Sequence, residues 1–343
     1  MRVTLLTGRS RLLQPVTASG QLHSERDHLF VGIEEEEVTG WGEVAPQPVT
    51  LNGDPGFTEV VESAREEIAP RLMRLRVTLA QLPTPGRLSG IMAGRAPERF
   101  ATSVFDAALV DWWLRRRSES LDKRYPARFP TRSLRSAPDV WRGGESADCW
   151  RVKVGAQRRD DGWWEQLVER GGDVILDFNA GARDVDHVLN VLVDAQRWVV
   201  VVALEQPFAV GNLADVAHLR QRVDVTLGLD EGVRTNTDVR LAARHGVGMV
   251  CLKAARVGGW SQVESLTHQA RDLGVDSYIG GFFESPLGRS LARRVAGSLT
   301  PLPSDVAEVP LDTEPLVEPV EGGVGWRPRS DLTVLFDETD KEF

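Results

Sequence analysis

From about residue 131 onward, short apolar runs alternate with segments in which apolar residues recur at helical spacing. Each apolar run predicts a strand, and each interval predicts a helix. The predicted strands span residues 132–136, 150–154, 173–177, 199–205, 225–230, 249–253 and 277–281, with an eighth near 305–309. Because parallel strands need a helical crossover between them, this alternation predicts a parallel α/β barrel.

Amphipathic helices are expected in the intervals between these strands. They are predicted at residues 184–197, 213–221, 237–244, 261–273 and 287–296. The first interval, 137–149, is short and contains two adjacent glycines, so its helix is expected to be truncated.

The first hundred residues carry a different pattern, in which strand-like runs come first and helical periodicity follows. The runs lie at residues 2–6, 28–36 and 40–44, and the helical spacing lies at 57–74 and 99–116. Strands that come together and are followed by helices predict an α+β unit with an antiparallel sheet.

Two polar stretches and the end of the chain complete the expected organisation. Residues 17–27 and 46–55 are predicted to be loops, which at this length are often lids or binding loops. A strand-like run at 332–336 is expected to return to the N-terminal sheet. The predicted division is an α+β domain over 1–126, a barrel over 127–310 and a returning segment over 311–343.

Composition narrows the classes of function. The 343 residues include 41 Lys and Arg against 50 Asp and Glu, and this formal charge of −9 disfavours a nucleic-acid partner, because phosphate binding needs a basic face. Two cysteines without metal-ligand spacing favour a reducing compartment. The sequence has neither a signal-peptide core nor an 18-residue apolar stretch, so we expect a cytoplasmic protein without a membrane partner.

Charged residues stand at the carboxyl ends of five successive predicted strands. Three of them are carboxylates, Asp177, Glu205 and Asp230, each about one β-α unit from the next. Active sites of parallel barrels lie at this end of the strands. Three carboxylates at one barrel mouth would repel one another without a cation, and an all-oxygen ligand set suits Mg²⁺ or Mn²⁺.

The other two charged strand ends are lysines. Lys153 precedes the carboxylates and Lys253 follows them, so the two are expected to flank a metal on opposite sides. A lysine beside another cation has a lowered pKa, as a general base at neutral pH requires. A strand-end ion pair is the simpler explanation for any one of these residues, but five residues in register favour a functional site.

Strand parity places the cysteines. Cys149 shares one strand face with Arg151 and Lys153, and Cys251 shares a face with Lys253. Both cysteines are therefore expected inside the barrel beneath the lysines, as packing residues rather than nucleophiles. The six histidines have no ligand spacing, and only His23, in the predicted 17–27 lid, is kept as a candidate substrate contact.

The sequence resembles the enolase superfamily, in its muconate lactonizing enzyme subgroup. The resemblance is carried by Gly40-Trp41-Gly42-Glu43 near the N-terminus and by the series of lysines and carboxylates. It implies a fold of class α/β, a modified TIM barrel (β/α)7β, with an α+β capping domain formed by the N-terminal region and the C-terminal tail. It also implies Mg²⁺- or Mn²⁺-dependent removal of a proton alpha to a carboxylate, through an enediolate.

The resemblance also assigns roles to residues of this sequence. It makes Asp177, Glu205 and Asp230 the metal ligands, and it makes Lys153 and Lys253 the acid/base pair. The substrate contacts that it implies are Arg151, Asn179, Arg256, Glu284 and Ser285. Arg151 departs from the family's Lys-x-Lys motif, in which lysine usually comes first, but arginine keeps the positive charge that holds the substrate carboxylate.

Two motifs favour one branch of the subgroup. Residues 253–259 (KAARVGG) and 280–289 (GGFFESPLGR) resemble N-succinylamino acid racemases and the o-succinylbenzoate synthases of menaquinone biosynthesis. Arg256 is typical of the racemase-competent branch, whereas the short first crossover resembles that of dedicated synthases. The resemblance therefore implies racemase activity, synthase activity or both.

Other activities stay open. Muconate-type cycloisomerase, dipeptide epimerase and a biosynthetic tailoring enzyme share the same chemistry, although the Asp-x-Asp pattern of dipeptide epimerases is not apparent near the eighth strand, where Ser304-Asp305 lies. A non-catalytic barrel that binds a carboxylate ligand is the alternative from another class, and the two intact lysines argue against it. The expected partner is a small carboxylate substrate, and because relatives often form dimers or octamers, a homo-oligomer is an expected state.

Overall fold

The computed structural model describes residues 1–18, 21–74, 79, 95–141, 143–154, 159–307 and 314–339. Its strands are β1 (Arg2–Ala18), β2 (Gln21–Glu35), β3 (Val38–Val44), β4 (Leu134–Ser136), β5 (Cys149–Lys153), β6 (Asp173–Asp177), β7 (Val201–Glu205), β8 (Thr226–Leu229), β9 (Met249–Leu252), β10 (Asp276–Ile279), β11 (Val317–Pro319), β12 (Trp326–Pro328) and β13 (Thr333–Thr339).

The helices connect these strands. They are α1 (Phe57–Ser63), α2 (Ala69–Met73), α3 (Ala96–Arg116), α4 (Leu121–Arg124), α5 (Asp161–Arg170), α6 (Val185–Gln196), α7 (Leu213–Arg220), α8 (Asn236–Arg244), α9 (Ala254–Val257), α10 (Trp260–Asp272) and α11 (Pro286–Leu299), with a π-helical segment Ala64–Ile68 between α1 and α2. Within the parts of the chain that the structure describes, no helix combines the length and the apolar character needed to cross a membrane.

An antiparallel sheet in the order β13-β1-β2-β3 forms the capping domain together with α3. Its returning strand β13 pairs with β1, so the predicted return of the chain end is confirmed. The glycines of the Gly40-Trp41-Gly42-Glu43 motif let α3 lie directly against β3. A Cβ at Gly42 would collide with the carbonyl oxygen of Val104, and one at Gly40 would collide with the backbone of Trp112.

The predicted loop at 17–27 is wrong for the described residues, because β1 and β2 continue as one long hairpin. Arg9 lies opposite Asp27 and Arg11 opposite Glu25 in the register. The side chains of Arg9 and Asp27 form an ion pair of 2.7 Å. The polar residues therefore act as cross-strand pairs on an exposed face rather than as a loop. Residues 19 and 20 of the predicted lid lie outside the described residues.

Seven parallel strands in the order β10-β9-β8-β7-β6-β5-β4 form the barrel wall. Each agrees with its predicted position within two residues at either end. Alternate side chains point inward and form one buried cluster, which comprises Leu134, Cys149, Ile175, Ala203, Met249, Cys251 and Tyr278. Both cysteines are therefore inside the barrel, as the strand parity predicts.

The eighth strand is reduced to a short closing segment. Ser304 forms a parallel bridge with Ser133. The backbone of Leu134 donates to Ser304 at 2.9 Å, and that of Asp305 donates to Ile279 at 2.8 Å. Residues 304 and 305 thus join the two edges of the sheet. Residues 308 and 309 of the predicted strand lie outside the described residues.

The first crossover contains no helix in its described residues, 137–141 and 143–148, whereas its short length predicts a truncated one. Tryptophans cover the outer face of β5 instead. The ring of Trp141 lies 5.1 Å from that of Trp150 and 5.5 Å from that of Trp163. Aromatic side chains bury large apolar areas, so this cluster replaces the packing surface that a crossover helix would supply.

Helix α3 joins the capping domain to the barrel through two buried carboxylates. Asp106 accepts hydrogen bonds from the backbone of Trp260, at 2.7 Å, and from the hydroxyl of Ser261, so it caps α10. Asp111 accepts from the backbones of Trp41 and Val324, and therefore ties β3 and the C-terminal tail to the same helix. Gly259 has φ +136°, and a Cβ there would lie 2.6 Å from the Asp106 carboxyl group.

Burial raises the pKa of Asp106 to about 6 from an ordinary value of 3.8, against the effect of its hydrogen bonds. The folded protein therefore keeps this proton at pH values where the unfolded chain has lost it. The contribution is full below about pH 4 and is lost as the pH rises toward 6, and its size is at most about 3 kcal/mol. We expect Asp106→Asn to remove this pH dependence from the free energy of unfolding.

Urea denaturation of both proteins at pH 4, 5, 6 and 7 measures this effect. The free energy of unfolding of the wild type should decline relative to that of Asp106→Asn between pH 4 and 6. The same substitution at the exposed residue Asp272 is the control, since it removes a carboxylate from the surface of α10. A difference between wild type and Asp106→Asn that stays constant with pH contradicts the prediction.

Candidate active site

The five charged residues predicted from the strand ends lie together at one mouth of the barrel. Lys153 ends β5 and lies opposite Asp177 at the end of β6, which in turn lies opposite Glu205 at the end of β7. Asp230 and Lys253 follow the last residues of β8 and β9. A cavity of about 190 Å³ opens here and is lined by three of the five, Lys153, Asp230 and Lys253. A groove of about 940 Å³ between the capping domain and the tail contains none of the five.

Lys153 is held by residues of the next strand. Its Nζ donates to Asp177 Oδ2 at 2.6 Å and to Asn179 Oδ1 at 2.9 Å. Asn179 has φ +45°, and its backbone N–H donates to Asp177 Oδ1 at 2.9 Å. The turn after β6 therefore folds back on its own carboxylate and places Asn179 beside Lys153, where both line the cavity.

Lys253 shares the carboxylate of Asp230 with Arg256. The Nζ of Lys253 donates to Oδ2 at 2.8 Å, and Nη1 of Arg256 donates to Oδ1 at 2.6 Å. Burial lowers the pKa of Lys253 and Arg256 lowers it further, but the charge of Asp230, with smaller contributions from Cys251 and Glu231, raises it, and the net pKa lies above its ordinary value. The expected lowering of this pKa is therefore not produced by the protein groups alone.

Glu205 is the least compensated of the three carboxylates. Its Oε1 lies 3.5 Å from Nη1 of Arg151, and its buried Oε2 has no hydrogen-bond partner among the described residues. Burial and the charge of Asp177 raise the pKa of Glu205 to about 8, against the effect of Arg151. A buried carboxylate with an unpartnered oxygen beside two further carboxylates fits a divalent cation in charge and in donor type.

A ready-made cation cage is absent from the described parts of the chain, where no three His, Cys, Asp or Glu side chains converge in a coordinating arrangement. The hydrogen bonds of Asp177 and Asp230 explain this absence. Lys153 takes an oxygen of Asp177, and Lys253 and Arg256 take both oxygens of Asp230. A cation would therefore compete with these side chains for the same oxygens.

Arg151 reaches across the barrel to the closing segment. Its Nη2 donates to Asp305 Oδ2 at 2.7 Å, and its Nε lies 4.0 Å from Asp177. Burial lowers the pKa of Arg151, but Glu205 and Asp305 outweigh burial and raise it well above its ordinary value. Arg151 lines the cavity and stays charged, as the resemblance to the family implies, and its guanidinium also fastens β5 to residue 305.

The other predicted substrate contacts occupy different places. Arg256 lines the cavity, whereas Glu284, Ser285 and His23 are outside its described lining. Glu284 accepts from the backbone of Phe282 and lies 3.4 Å from Arg289. His23 lies buried in β2.

Ser285 belongs to a buried joint between the domains. Its backbone N–H and its hydroxyl both donate to Glu43, at 2.7 and 2.6 Å. His28 lies 2.7 Å from the same carboxylate. Burial raises the pKa of Glu43, but these hydrogen bonds and His28 lower it to a net value below the ordinary one. The motif that ends in Glu43 therefore anchors the start of α11.

Several residues at the cavity have no individual signal in the sequence. They are Gln47, Leu51, Asn52 and Asp54 of the capping loop (residues 46–55, between β3 and α1), Glu231 after β8, Phe282 and Phe283 after β10, and Arg289 and Asp305. The four capping residues lie within the polar stretch 46–55, which was predicted as a lid or binding loop, and their presence at the cavity supports that interpretation. The sequence pattern identifies the loop but not the side chains that it presents.

The chain is similar in sequence to a known family and to known enzymes. Residues 159–319 match the family described as enolase C-terminal domain-like. The N-succinyl-L-Arg/Lys racemase of Bacillus cereus is 27% identical over 188 residues, about half of either chain. The o-succinylbenzoate synthase of Enterococcus faecalis is 25% identical over 85% of this chain and 82% of its own.

The solved structures extend the similarity to the fold of the whole chain. A member of the enolase superfamily from Listeria innocua superposes with a TM-score of 0.83 at 19% identity, over 98% of this chain and 97% of its own. The curled parallel sheet with an antiparallel sheet at the N-terminus is the arrangement of a modified TIM barrel with a capping domain.

Proposed function

We propose that this chain, whose residues 159–319 match the enolase C-terminal domain-like family and whose fold is that of the superfamily, removes a proton alpha to a carboxylate with the help of Mg²⁺ or Mn²⁺. The proposed activity is racemisation of N-acylamino acids, N-succinyl derivatives in particular, or dehydration to o-succinylbenzoate, or both. The chemical step common to them is formation of an enediolate.

The observation that carries the proposal is the placement of the two lysines. Lys153 and Lys253 end the strands on either side of β6, β7 and β8, which present Asp177, Glu205 and Asp230. Lys153 contacts Asp177 at 2.6 Å, and Lys253 contacts Asp230 at 2.8 Å. A substrate bound over the carboxylates would therefore have an acid/base group on each side, as inversion of an α-carbon requires.

The three carboxylates would hold the cation, with Glu205 at the centre of the row. A bound divalent cation supplies positive charge near the substrate carboxylate and so stabilises the charge of an enediolate. Arg151 adds a permanent positive charge beside Glu205. In racemisation one lysine takes the proton and the other returns a proton from the opposite face, whereas syn dehydration uses one lysine as base.

The surroundings of Asp305 support an N-acylated substrate over one with a free amine. Asp305 lies in the closing segment, 2.7 Å from Arg151 and 3.6 Å from Arg289. Burial raises the pKa of Asp305, but Arg151 and Arg289 outweigh burial and lower it overall. Since two guanidinium groups already balance this carboxylate, it offers little attraction to a substrate ammonium group, and the dipeptide epimerase alternative is disfavoured.

The dehydration reaction is favoured by a separate observation, the absence of a helix from the described first crossover, which resembles that of dedicated synthases. The racemase reaction is favoured by Arg256. Both reactions therefore have to be assayed, because an assay of one reaction alone does not distinguish a racemase, a synthase and an enzyme with both activities.

The test is a screen with Mg²⁺ in D₂O. N-succinyl and N-acetyl derivatives of several amino acids are followed by NMR for loss of the α-proton signal, and the hydroxy acid that loses water to give o-succinylbenzoate is followed in parallel. We expect turnover of at least one compound. The Lys153→Ala/Lys253→Ala double variant is the control and should be inactive. A wild type that binds these carboxylates without exchange or dehydration would support the non-catalytic alternative.

A further inference from the structure

The capping domain contributes a buried carboxylate, Asp54, to the surroundings of the site. Asp54 lies in the loop between β3 and α1, which is closed by backbone hydrogen bonds of 3.0 and 2.9 Å between Leu51 and Asp54. Both oxygens of Asp54 accept from Arg256, at 2.9 Å from Nε and 2.6 Å from Nη2. A two-bond pair of this kind fixes the plane of the guanidinium group as well as its position.

The same guanidinium group also connects Asp54 to Lys253, through Asp230. Its remaining nitrogen, Nη1, donates to Asp230, whose other oxygen accepts from Lys253. The ring of Phe282 packs beside both cations, with its centroid 4.9 Å from Lys253 Nζ and 5.5 Å from Arg256 Cζ. Asp54, Arg256, Asp230 and Lys253 therefore form one continuous chain of charged contacts from the capping loop to the lysine.

Lys153 has a different support. Its described hydrogen bonds go to Asp177 and Asn179, both in the barrel. Among the hydrogen bonds given for the described residues, the capping loop meets this side through Glu231, which lies 3.4 Å from Asn52 and 3.5 Å from Asn179. These contacts are longer than the 2.6 to 2.9 Å contacts on the Lys253 side, and none of them reaches Lys153 itself.

We propose that Asp54 is a positioning residue for Lys253 and not for Lys153, so that the capping loop controls one face of the substrate. The assignment to a substrate face depends on the function proposed above, whereas the contact chain does not. Without the carboxylate charge of Asp54, two of the three charge-assisted side-chain hydrogen bonds of Arg256 are lost or weakened, and its other nitrogens become free to turn toward Asp230, to which Nη1 already donates. Arg256 would then compete with Lys253 for that carboxylate and shift the lysine from its place.

The first test is α-proton exchange of each enantiomer of one N-succinyl amino acid by Asp54→Asn. The Lys153→Ala and Lys253→Ala variants identify which enantiomer each lysine serves. We expect exchange on the Lys253 face to fall about 10-fold or more, the size expected for a small misplacement of a reacting group, with less than about 2-fold change on the other face. Equal losses on both faces, or no loss, would overturn the inference.

Two further variants separate positioning from general damage to the loop. Val49→Thr changes an exposed side chain of the same loop and should leave exchange on both faces unchanged. In an Arg256→Gln background, Asp54→Asn should add less than about 2-fold to the loss on the Lys253 face, because the connection is already broken. A full additional loss in that background shows that Asp54 acts by another route and contradicts the inference.

A measurement without substrate keeps this inference separate from the proposed function. Hydrogen–deuterium exchange by mass spectrometry compares wild type with Asp54→Asn in peptides that cover residues 249–259 and 149–154. We expect faster exchange in the first peptide and no change in the second. No difference in the first peptide overturns the contact chain even if the enzyme racemises, whereas a difference with no turnover of any substrate leaves the chain supported and contradicts the proposed function alone.

Discussion

Lys153→Ala and Lys253→Ala are each expected to abolish inversion of an N-acylamino acid while exchange of the α-proton in one enantiomer continues. Inversion needs an acid/base group on each face of the α-carbon, and the two lysines lie at opposite ends of the carboxylate row. We expect a fall of roughly 100- to 10,000-fold in racemisation, the usual contribution of a general acid or base. The two variants should keep exchange with opposite enantiomers.

NMR of each purified enantiomer in D₂O measures exchange and inversion in the same sample. The dehydration assay is run in parallel and distinguishes the reactions, because syn dehydration needs one catalytic base. In that assay one lysine variant should lose far more activity than the other. If both variants racemise at the wild-type rate, the two-base assignment is wrong, and the proposal for this site is wrong with it.

Removal of divalent cations with EDTA is expected to abolish turnover and to leave the fold intact. The inner barrel cluster and the packing of the outer helices are apolar and do not depend on an ion. Asp177→Asn, Glu205→Gln and Asp230→Asn should each weaken Mg²⁺ binding by about 10-fold or more, since loss of a ligand costs at least as much as loss of a residue that supports one.

Glu205→Gln gives the sharpest form of this test, because two effects of opposite sign are expected. Without a cation, the variant should be more stable than wild type by roughly 1 to 3 kcal/mol, because at neutral pH the wild type must either bury the charge of Glu205 or take up a proton, as its raised pKa of about 8 implies, and glutamine does neither. With Mg²⁺, the wild type should gain stability and the variant should gain little. Thermal unfolding with and without Mg²⁺ measures both.

Asp173→Asn is the matched control for the carboxylate variants. Asp173 begins β6, at the opposite end of the strand that presents Asp177, and lies exposed 3.6 Å from Arg132. Its substitution should leave Mg²⁺ affinity and activity unchanged. Activity that survives exhaustive cation removal, or unchanged Mg²⁺ affinity in two of the three site variants, would identify the carboxylates as structural ion pairs.

The barrel could be predicted because most of its strands are short, apolar and buried on both faces, so their pattern is strong and local. The same regularity predicted that Lys153, Asp177 and Glu205 would share one mouth, since they end neighbouring strands in register. The long hairpin could not be predicted in this way. Its polar half is stabilised by pairs such as Arg9 and Asp27, which lie 18 residues apart in sequence and become neighbours only when the register is known.

The capping contribution to the site was also beyond the pattern. Asp54 and Arg256 are 202 residues apart, and nothing in the spacing of either motif indicates their contact. The same limit applies to the lysines. Their predicted positions are correct, but their pairing with Asp177 and Asp230, which leaves no preformed cation cage in the described residues, follows from side-chain geometry that a linear pattern does not contain.

Helix α3 limits how this architecture can be recombined during evolution. Its Asp106 fits only against a residue without a Cβ at position 259, and its Asp111 is enclosed by the backbone of the tail at Val324. If a capping domain from a relative replaced this one, its helix would have to fit against a barrel and a tail whose contacts are specific to α3. Innovation in this lineage is therefore easier by substitution in the loops at the mouth, residues 46–55 among them, than by exchange of whole domains.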